Sequence, residues 1–238
     1  PFASRRDDLF TFDPLQTTAK IIFIARGRKP PGGFMKLLGF IAAFLISTQA
    51  FAYFATMDNG DILSEGKYRL MAGPQVVFNG ENDGANFAAR FDMGTTKSSN
   101  MRALVGAGAT DFFGGLFYKW IPYPDTKNQP AIGLMGGFIF SREKYDDVKK
   151  DAISFRLHPI ISKQFETDIG ILTPYTSLPF GVTFVKGTTT YPIQLVGGTE
   201  FKPYTWQNIS FFGEFGLDVS KAFSYIEVAI AFYFDETK

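Results

Sequence analysis

The chain has 238 residues and a formal net charge of +1 at pH 7, a balance that gives a polyanion nothing to hold and removes nucleic acid from the expected partners. It has no cysteine, which excludes a disulfide-stapled scaffold, an N-terminal lipid-bearing cysteine and thiolate metal sites. Mean hydropathy is near zero at +0.01, yet 28 Phe and 24 Gly point to strands that are apolar on one face and small or polar on the other.

Residues 1–34 combine Arg5-Arg6-Asp7-Asp8 with Arg26-Gly27-Arg28-Lys29-Pro30-Pro31 and show no periodicity. They are expected to lie outside the mature protein, because Met35 opens a better-formed start. Met35-Lys36 is a short positive region, Leu37 to Ile46 a ten-residue apolar run, and Ala50-Phe51-Ala52 a small-x-small site. That order predicts a cleaved signal-peptide helix over 35–52, cut between Ala52 and Tyr53. A retained membrane helix is the competing reading, but ten residues at about 1.5 Å each cannot cross a core of about 30 Å. Residues 1–52 carry seven of the 24 Lys+Arg and three of the 23 Asp+Glu, so the mature chain has a net charge of −3. Residues 53–65 read as an N-terminal periplasmic lead. Its Asp58-Asn59-Gly60-Asp61 has calcium-type ligands without the full loop spacing, and is taken as a solvated turn.

From Lys67 to Phe234 the sequence alternates with period two. Segments 67–78, 85–94, 101–110, 112–121 and 131–142 begin the series; in the last of these Ile132, Leu134, Phe138 and Phe140 share a face. In 152–164, Ile153, Phe155, Leu157 and Ile161 oppose Ser154, Arg156, His158, Ser162 and Gln164. In 170–184, Leu172, Leu178, Phe180, Val182 and Phe184 oppose Thr173, Tyr175, Ser177, Gly181 and Thr183. In 190–202, Tyr191, Ile193, Leu195 and Phe201 oppose Gln194, Gly198, Glu200 and Lys202. In the next segment Ile209, Phe211, Phe215, Leu217 and Val219 oppose Ser210, Glu214, Gly216, Asp218 and Ser220. The last puts Ile226, Val228, Ile230, Phe232 and Phe234 against Tyr225, Glu227, Ala229, Ala231 and Tyr233. Successive side chains of a strand point to opposite faces, so each segment has one apolar side. The count is about ten strands, with eight or twelve as alternatives, each long enough to span a bilayer when tilted. Asn79-Gly80, Asp83-Gly84 and Lys186-Gly187 supply turns, residues 122–130 are too proline-rich for a strand, and Arg142–Asp151 is charged enough to read as a solvated loop.

Alternation alone does not say which face is inside. The polar face is rich in Gly, Ala and Ser with scattered charges, which suits a narrow interior. With the N-terminus periplasmic, Tyr68, Trp120, Tyr123, Tyr204, Trp206, Tyr233 and Phe234 fall at one rim, as an interfacial aromatic girdle requires. The final segment ends in Ala231-Phe232-Tyr233-Phe234, and an alternating strand closing on an aromatic near the C-terminus resembles the signal read by the outer-membrane assembly machinery. With the signal peptide and the absent cysteines, residues 66–234 resemble small outer-membrane β-barrel proteins of Gram-negative bacteria. The resemblance is one of pattern, and Asp235-Glu236-Thr237-Lys238 depart from it as a C-terminal tail after the aromatic. It implies an all-β, antiparallel up-and-down transmembrane β-barrel in the cell envelope, with outer-membrane lipid and lipopolysaccharide as surroundings. The other architecture with the same period is a soluble secreted or periplasmic lipocalin-like barrel that binds an apolar ligand.

On the membrane reading Arg69, Arg90, Asp92, Arg102, Lys119, Arg156, His158, Glu200, Lys202, Glu214, Asp218 and Glu227 point inward. Unpaired charges there would cost several kcal/mol, so a paired network is expected, with Arg90–Asp92 and Glu200–Lys202 as same-strand candidates. Such a network either plugs the lumen, in a structural or interaction role, or forms the constriction of a narrow, porin-like channel. His158 is the sole histidine; its same-face hydroxyls, Ser154 and Ser162, are each four residues away, roughly 13 Å along a strand, so a hydrolase would need a partner from another strand. Gly106-Ala107-Gly108 lacks the third glycine and the helix of a dinucleotide loop. No cofactor, metal or enzymatic activity is expected. Neither the substrate nor the oligomeric state is written in the sequence.

Overall fold

In the computed structural model of the chain, residues 55–78, 83–145 and 148–235 are described. The upstream segment 1–34, the signal peptide expected at 35–52, its cleavage residues Ala50, Ala52 and Tyr53, and the tail after Asp235 lie outside the described residues.

Thirteen strand segments follow one another: β1 (Lys67–Phe78), β2 (Gly84–Thr96), β3 (Ser99–Gly108), β4 (Phe112–Tyr123), β5 (Ala131–Tyr145), β6 (Val148–Ser162), β7 (Phe165–Glu166), β8 (Gly170–Ser177), β9 (Phe180–Val185), β10 (Thr188–Thr190), β11 (Ile193–Pro203), β12 (Ile209–Ser220) and β13 (Ser224–Asp235). They make ten wall strands. β8 and β9 both pair with β6 and form one strand interrupted at Leu178-Pro179; β10 and β11 form another, interrupted at Tyr191-Pro192. Proline has no amide hydrogen to give a ladder, which accounts for both breaks. The short β7 only flanks the foot of β8.

All neighbours are antiparallel, and β13 returns to β1 in a register running from Lys67↔Asp235 to Phe78↔Ser224. The sheet is therefore closed, an up-and-down barrel of ten strands. In the closing register Gly73 and Pro74, opposite Ala229 and Val228, drop out of the ladder because Pro74 has no N–H to offer.

Side-chain exposure fixes the sense of the two faces. The outer surface carries Leu70, Val76, Phe87, Leu116, Phe138, Phe155, Phe184, Leu195, Ile226 and Val228, each more than two-fifths exposed. The inner surface carries Arg69, Arg90, Asp92, Lys119, Glu200 and Glu227, nearly all sealed from solvent. That is the inverse of a soluble lipocalin-like barrel and the arrangement of a transmembrane one, in which apolar side chains face lipid and every backbone polar group is paired within the closed sheet. Apolar residues are present inside as well: Met71, Leu104, Phe113, Phe117, Met135, Ile139 and Phe212 form a buried cluster.

Three boundaries differ from the sequence reading. Arg142–Asp151 is not a loose loop, for β5 and β6 stay paired as far as Tyr145↔Val148, with Arg142 Nε donating to Asp151 Oδ1 at 2.7 Å. That hydrogen bond and the Arg142 charge hold the Asp151 carboxyl below its ordinary range. Asp235 belongs to β13 and not to the tail, because it still pairs with Lys67. The lead is the largest difference. Residues 55–60 are buried inside the barrel, where the charged wall holds them. The expected turn at Lys186-Gly187 does form, joining Val185 to Thr188 with Gly187 at φ 82°, a left-handed conformation that glycine adopts without steric cost.

Leu116 lies midway along β4 and is 48% exposed on the outer face. Leu116→Arg is expected to destabilise the barrel by about 2–4 kcal/mol in lipid, the cost of a cation at the bilayer midplane. Reversible unfolding from vesicles would measure it; an unchanged midpoint would mean that the outer face does not touch acyl chains.

Candidate functional site

The lumen is organised around two sets of groups, those projecting from the wall and those of a strap, residues 55–63, that runs through it. On the wall, Arg69, Asp92 and Arg102 sit opposite one another on β1, β2 and β3. Arg69 Nε donates to Asp92 Oδ2 at 2.7 Å, Arg102 Nε to Asp92 Oδ1 at 2.5 Å, and Arg102 Nη2 to Asp92 Oδ2 at 2.9 Å. One carboxylate thus orients two guanidinium groups. Arg90 does not pair with Asp92 as the sequence suggested. It reaches across to β13 and holds Glu227 through two bonds, Nη1–Oε1 at 2.6 Å and Nη2–Oε2 at 2.9 Å. The fork-to-carboxylate geometry of that pair outcompetes a neighbour on the same strand.

Glu214 stands directly opposite Glu227. It accepts from the hydroxyls of Tyr175 at 2.8 Å and Tyr225 at 2.6 Å. Both rings lie over glycines of adjacent strands: a Cβ on Gly198 would be 2.4 Å from the Tyr175 ring, and one on Gly216 would be 2.2 Å from the Tyr225 ring. Bare backbone is what lets two inward tyrosines converge on one buried carboxylate. Glu200 and Lys202 do meet, at 3.4 Å, and Glu200 also accepts from the Tyr233 hydroxyl. Arg156 and His158 face inward on β6, and His158 Nδ1 is 3.4 Å from Thr56 Oγ1 with its ring edge-on to Phe117.

The strap supplies what the wall lacks. Asp58 Oδ1 receives Lys119 Nζ at 2.9 Å and Arg69 Nη2 at 3.2 Å, with Arg102 Nη2 at 3.5 Å. Lys119 Nζ also donates to the carbonyls of Asp61 at 2.6 Å and Asn59 at 3.3 Å. Asn59 Nδ2 donates to Glu200 Oε2 at 2.6 Å, and Asp61 Oδ2 accepts from Lys202 at 2.9 Å. Deeper in, the Ala55 carbonyl accepts from Arg90 at 2.7 Å and the Thr56 carbonyl from Arg102. Asp58-Asn59-Gly60-Asp61 is therefore no solvated turn; its carboxylates are occupied by lysine and arginine.

Of the twelve charged positions expected inside, eleven face the lumen. Asp218 does not: it lies exposed near the far end of β12, where its Oδ1 accepts from the Ala222 amide at 3.0 Å and caps the turn into β13. Of the seven expected girdle residues, Trp120, Tyr123, Tyr204, Trp206 and Phe234 are exposed at the end where β1 begins and β13 finishes, and Tyr68 stacks between Phe91 and Phe234 there. Tyr233 departs from them. It shares the inward parity of Ala229 and Ala231, and its ring lies beneath the Arg69 and Lys202 cations.

No family model matches the chain and no curated protein matches it. Among solved structures, it is similar to a de novo designed transmembrane β-barrel, at 9% identity over 73% of this chain and 100% of that one, with a TM-score of 0.36. It is also similar to the N-terminal β-barrel domain of Pseudomonas aeruginosa OprF, at 10% identity over 72% and 100% respectively, with a TM-score of 0.29.

The Arg90–Glu227 pair gives a test of how the lumen is held. Arg90→Met strands Glu227 among apolar groups and is expected to cost about 3–5 kcal/mol, while Arg90→Met with Glu227→Leu recovers most of the loss. Urea unfolding of micelle-folded protein would read both. A double variant no more stable than the single one would contradict the pairing.

Proposed function

We propose that this chain is an outer-membrane β-barrel of a Gram-negative cell envelope, closed at rest, with a structural or interaction role and no enzymatic activity. The observation that carries the reading is a lumen filled by the strap and its ion pairs beneath an exterior of Phe, Ile, Leu and Val. The signal peptide expected at 35–52 and the aromatic rim support the location, and lipid, lipopolysaccharide and the outer-membrane assembly machinery are the partners it implies. His158 is sealed deep in the lumen beside Thr56 and Phe117, away from the loops, which speaks against a hydrolase.

With the start of β1 and the finish of β13 toward the periplasm, the two longest connections between wall strands, 124–130 and 163–169, lie on the periplasmic side. Bacterial barrels usually distribute them the other way round. The periplasmic end is accordingly the surface on which a partner would be met.

Detergent-refolded full-length protein is expected to migrate faster unboiled than boiled on a gel, and to show no steady conductance steps in a planar bilayer. Release from cells by osmotic shock alone would overturn the membrane assignment. Large, persistent conductance would overturn the closed state and favour the narrow-channel reading.

A further inference from the structure

Two of the wall's cations, Arg90 and Lys202, each have a carboxylate of the wall beside them. Arg90 is matched by Glu227 on the wall, Lys202 is shared between Glu200 of the wall and Asp61 of the strap, and Glu214 accepts from two tyrosine hydroxyls of the wall. The three cations Arg69, Arg102 and Lys119 lie together, and the wall contributes one carboxylate to them, Asp92. The second carboxylate, Asp58, comes from the strap, and a single oxygen of it receives all three cations.

We propose that Arg69, Arg102 and Lys119 form a binding site for a small soluble carboxylate, filled at rest by the side chain of Asp58 acting as a tethered ligand. The inference rests on the closed-barrel reading and extends it by naming what the lumen would bind once the strap withdraws. Four features carry it. Asp92 holds both guanidinium groups from the wall side through three bonds, so the two arginines keep their places without the strap, and Lys119 joins them through the carboxylate they share. The Asp58 side chain beyond its Cα is chemically an acetate, which sets the ligand class. Met57, just before Asp58, is held at φ 46°, a left-handed conformation that costs a non-glycine residue energy and is relieved when the strap leaves. Finally, Lys202, the partner of Asp61, lines a cleft of about 500 Å³ beside Asn208, Tyr233 and the Lys67–Asp235 pair, which gives a small solute an approach to the foot of the strap.

A tethered ligand acts at an effective concentration in the millimolar range or above, so free carboxylate displaces it only weakly in the native chain. Removing the tethered group exposes the site. The full-length Asp58→Ala variant in detergent micelles is expected to be less stable than the native chain, and to regain a large part of the lost unfolding midpoint as sodium acetate replaces sodium chloride at constant ionic strength. Native protein should show no such shift, and Asp58→Ala with Lys119→Gln should show a much smaller one. If Asp58→Ala folds only when acetate is present, that is the same result in stronger form. An acetate effect that is absent, equal in native protein, or undiminished without Lys119 overturns the proposal. The heat-dependent gel shift of native protein tests the barrel reading separately, so the two can fail independently.

Gly60 offers a second arm, since a Cβ there would lie 2.5 Å from the Ala131 Cβ and 2.6 Å from Ser162 Oγ. Gly60→Leu is expected to lift the strap off the wall. The chain has no native cysteine. An added Ala55→Cys thiol, buried in the native arrangement, should then react with a maleimide many times faster than in the Gly60 background. Equal labelling rates would show that the strap does not leave the lumen and would overturn its role as a removable ligand.

Discussion

A barrel that presents hydrocarbon to its surroundings has only its interior in which to keep its charges, and charges in a narrow interior must neutralise one another. The rest of this molecule follows from that constraint. The outer parity of every strand is given to Phe, Leu, Ile and Val, and the inner parity to arginines, carboxylates, tyrosines and the glycines that make room for them. Nearness along a strand does not by itself choose the pairs: Glu200 meets Lys202 on its own strand, but Arg90 reaches Glu227 past Asp92.

Ten strands enclose a space that side chains can largely fill, and here they share the filling with the chain itself. The strap is held less by burial of apolar surface than by polar contacts along its whole length: carbonyls of residues 55, 56, 59 and 61, and the side chains of Asp58, Asn59 and Asp61, all meet groups of the wall. Met57 and Ala55 add packing against the inner apolar cluster. Wall and strap are therefore one electrostatic unit, and neither is neutral alone.

The wall was legible in the sequence because its signal is local. Period two appears in ten successive segments, and a residue's parity fixes its side of the sheet, so Arg69, Asp92, Arg102, Lys119 and Glu200 could be placed inside without coordinates. Parity misleads where a strand ends: Asp218 has inward parity but lies where β12 meets a turn and escapes to water, whereas Tyr233 keeps inward parity although it is aromatic and near the rim. The strap was not legible at all. Ala55 to Leu63 has no period, and Asp-Asn-Gly-Asp has the composition of a wet turn. Only the excess of cations on β1, β3 and β4 hinted that a carboxylate was missing, and that excess becomes visible only when register brings Arg69, Arg102 and Lys119 together.

The seam between the first and last strands carries its own consequence. Elsewhere in water a strand that loses an amide bond at a proline can take a solvent molecule in its place, but beside acyl chains there is none to take. The two missing pairs at Gly73 and Pro74 lie at the join that makes the sheet a ring. Glycine beside the proline lets the two strands close up all the same, since a Cβ on Gly73 would lie 1.9 Å from the Val228 carbonyl oxygen, so at this point the band is clasped by backbone contact and not by ladder bonds.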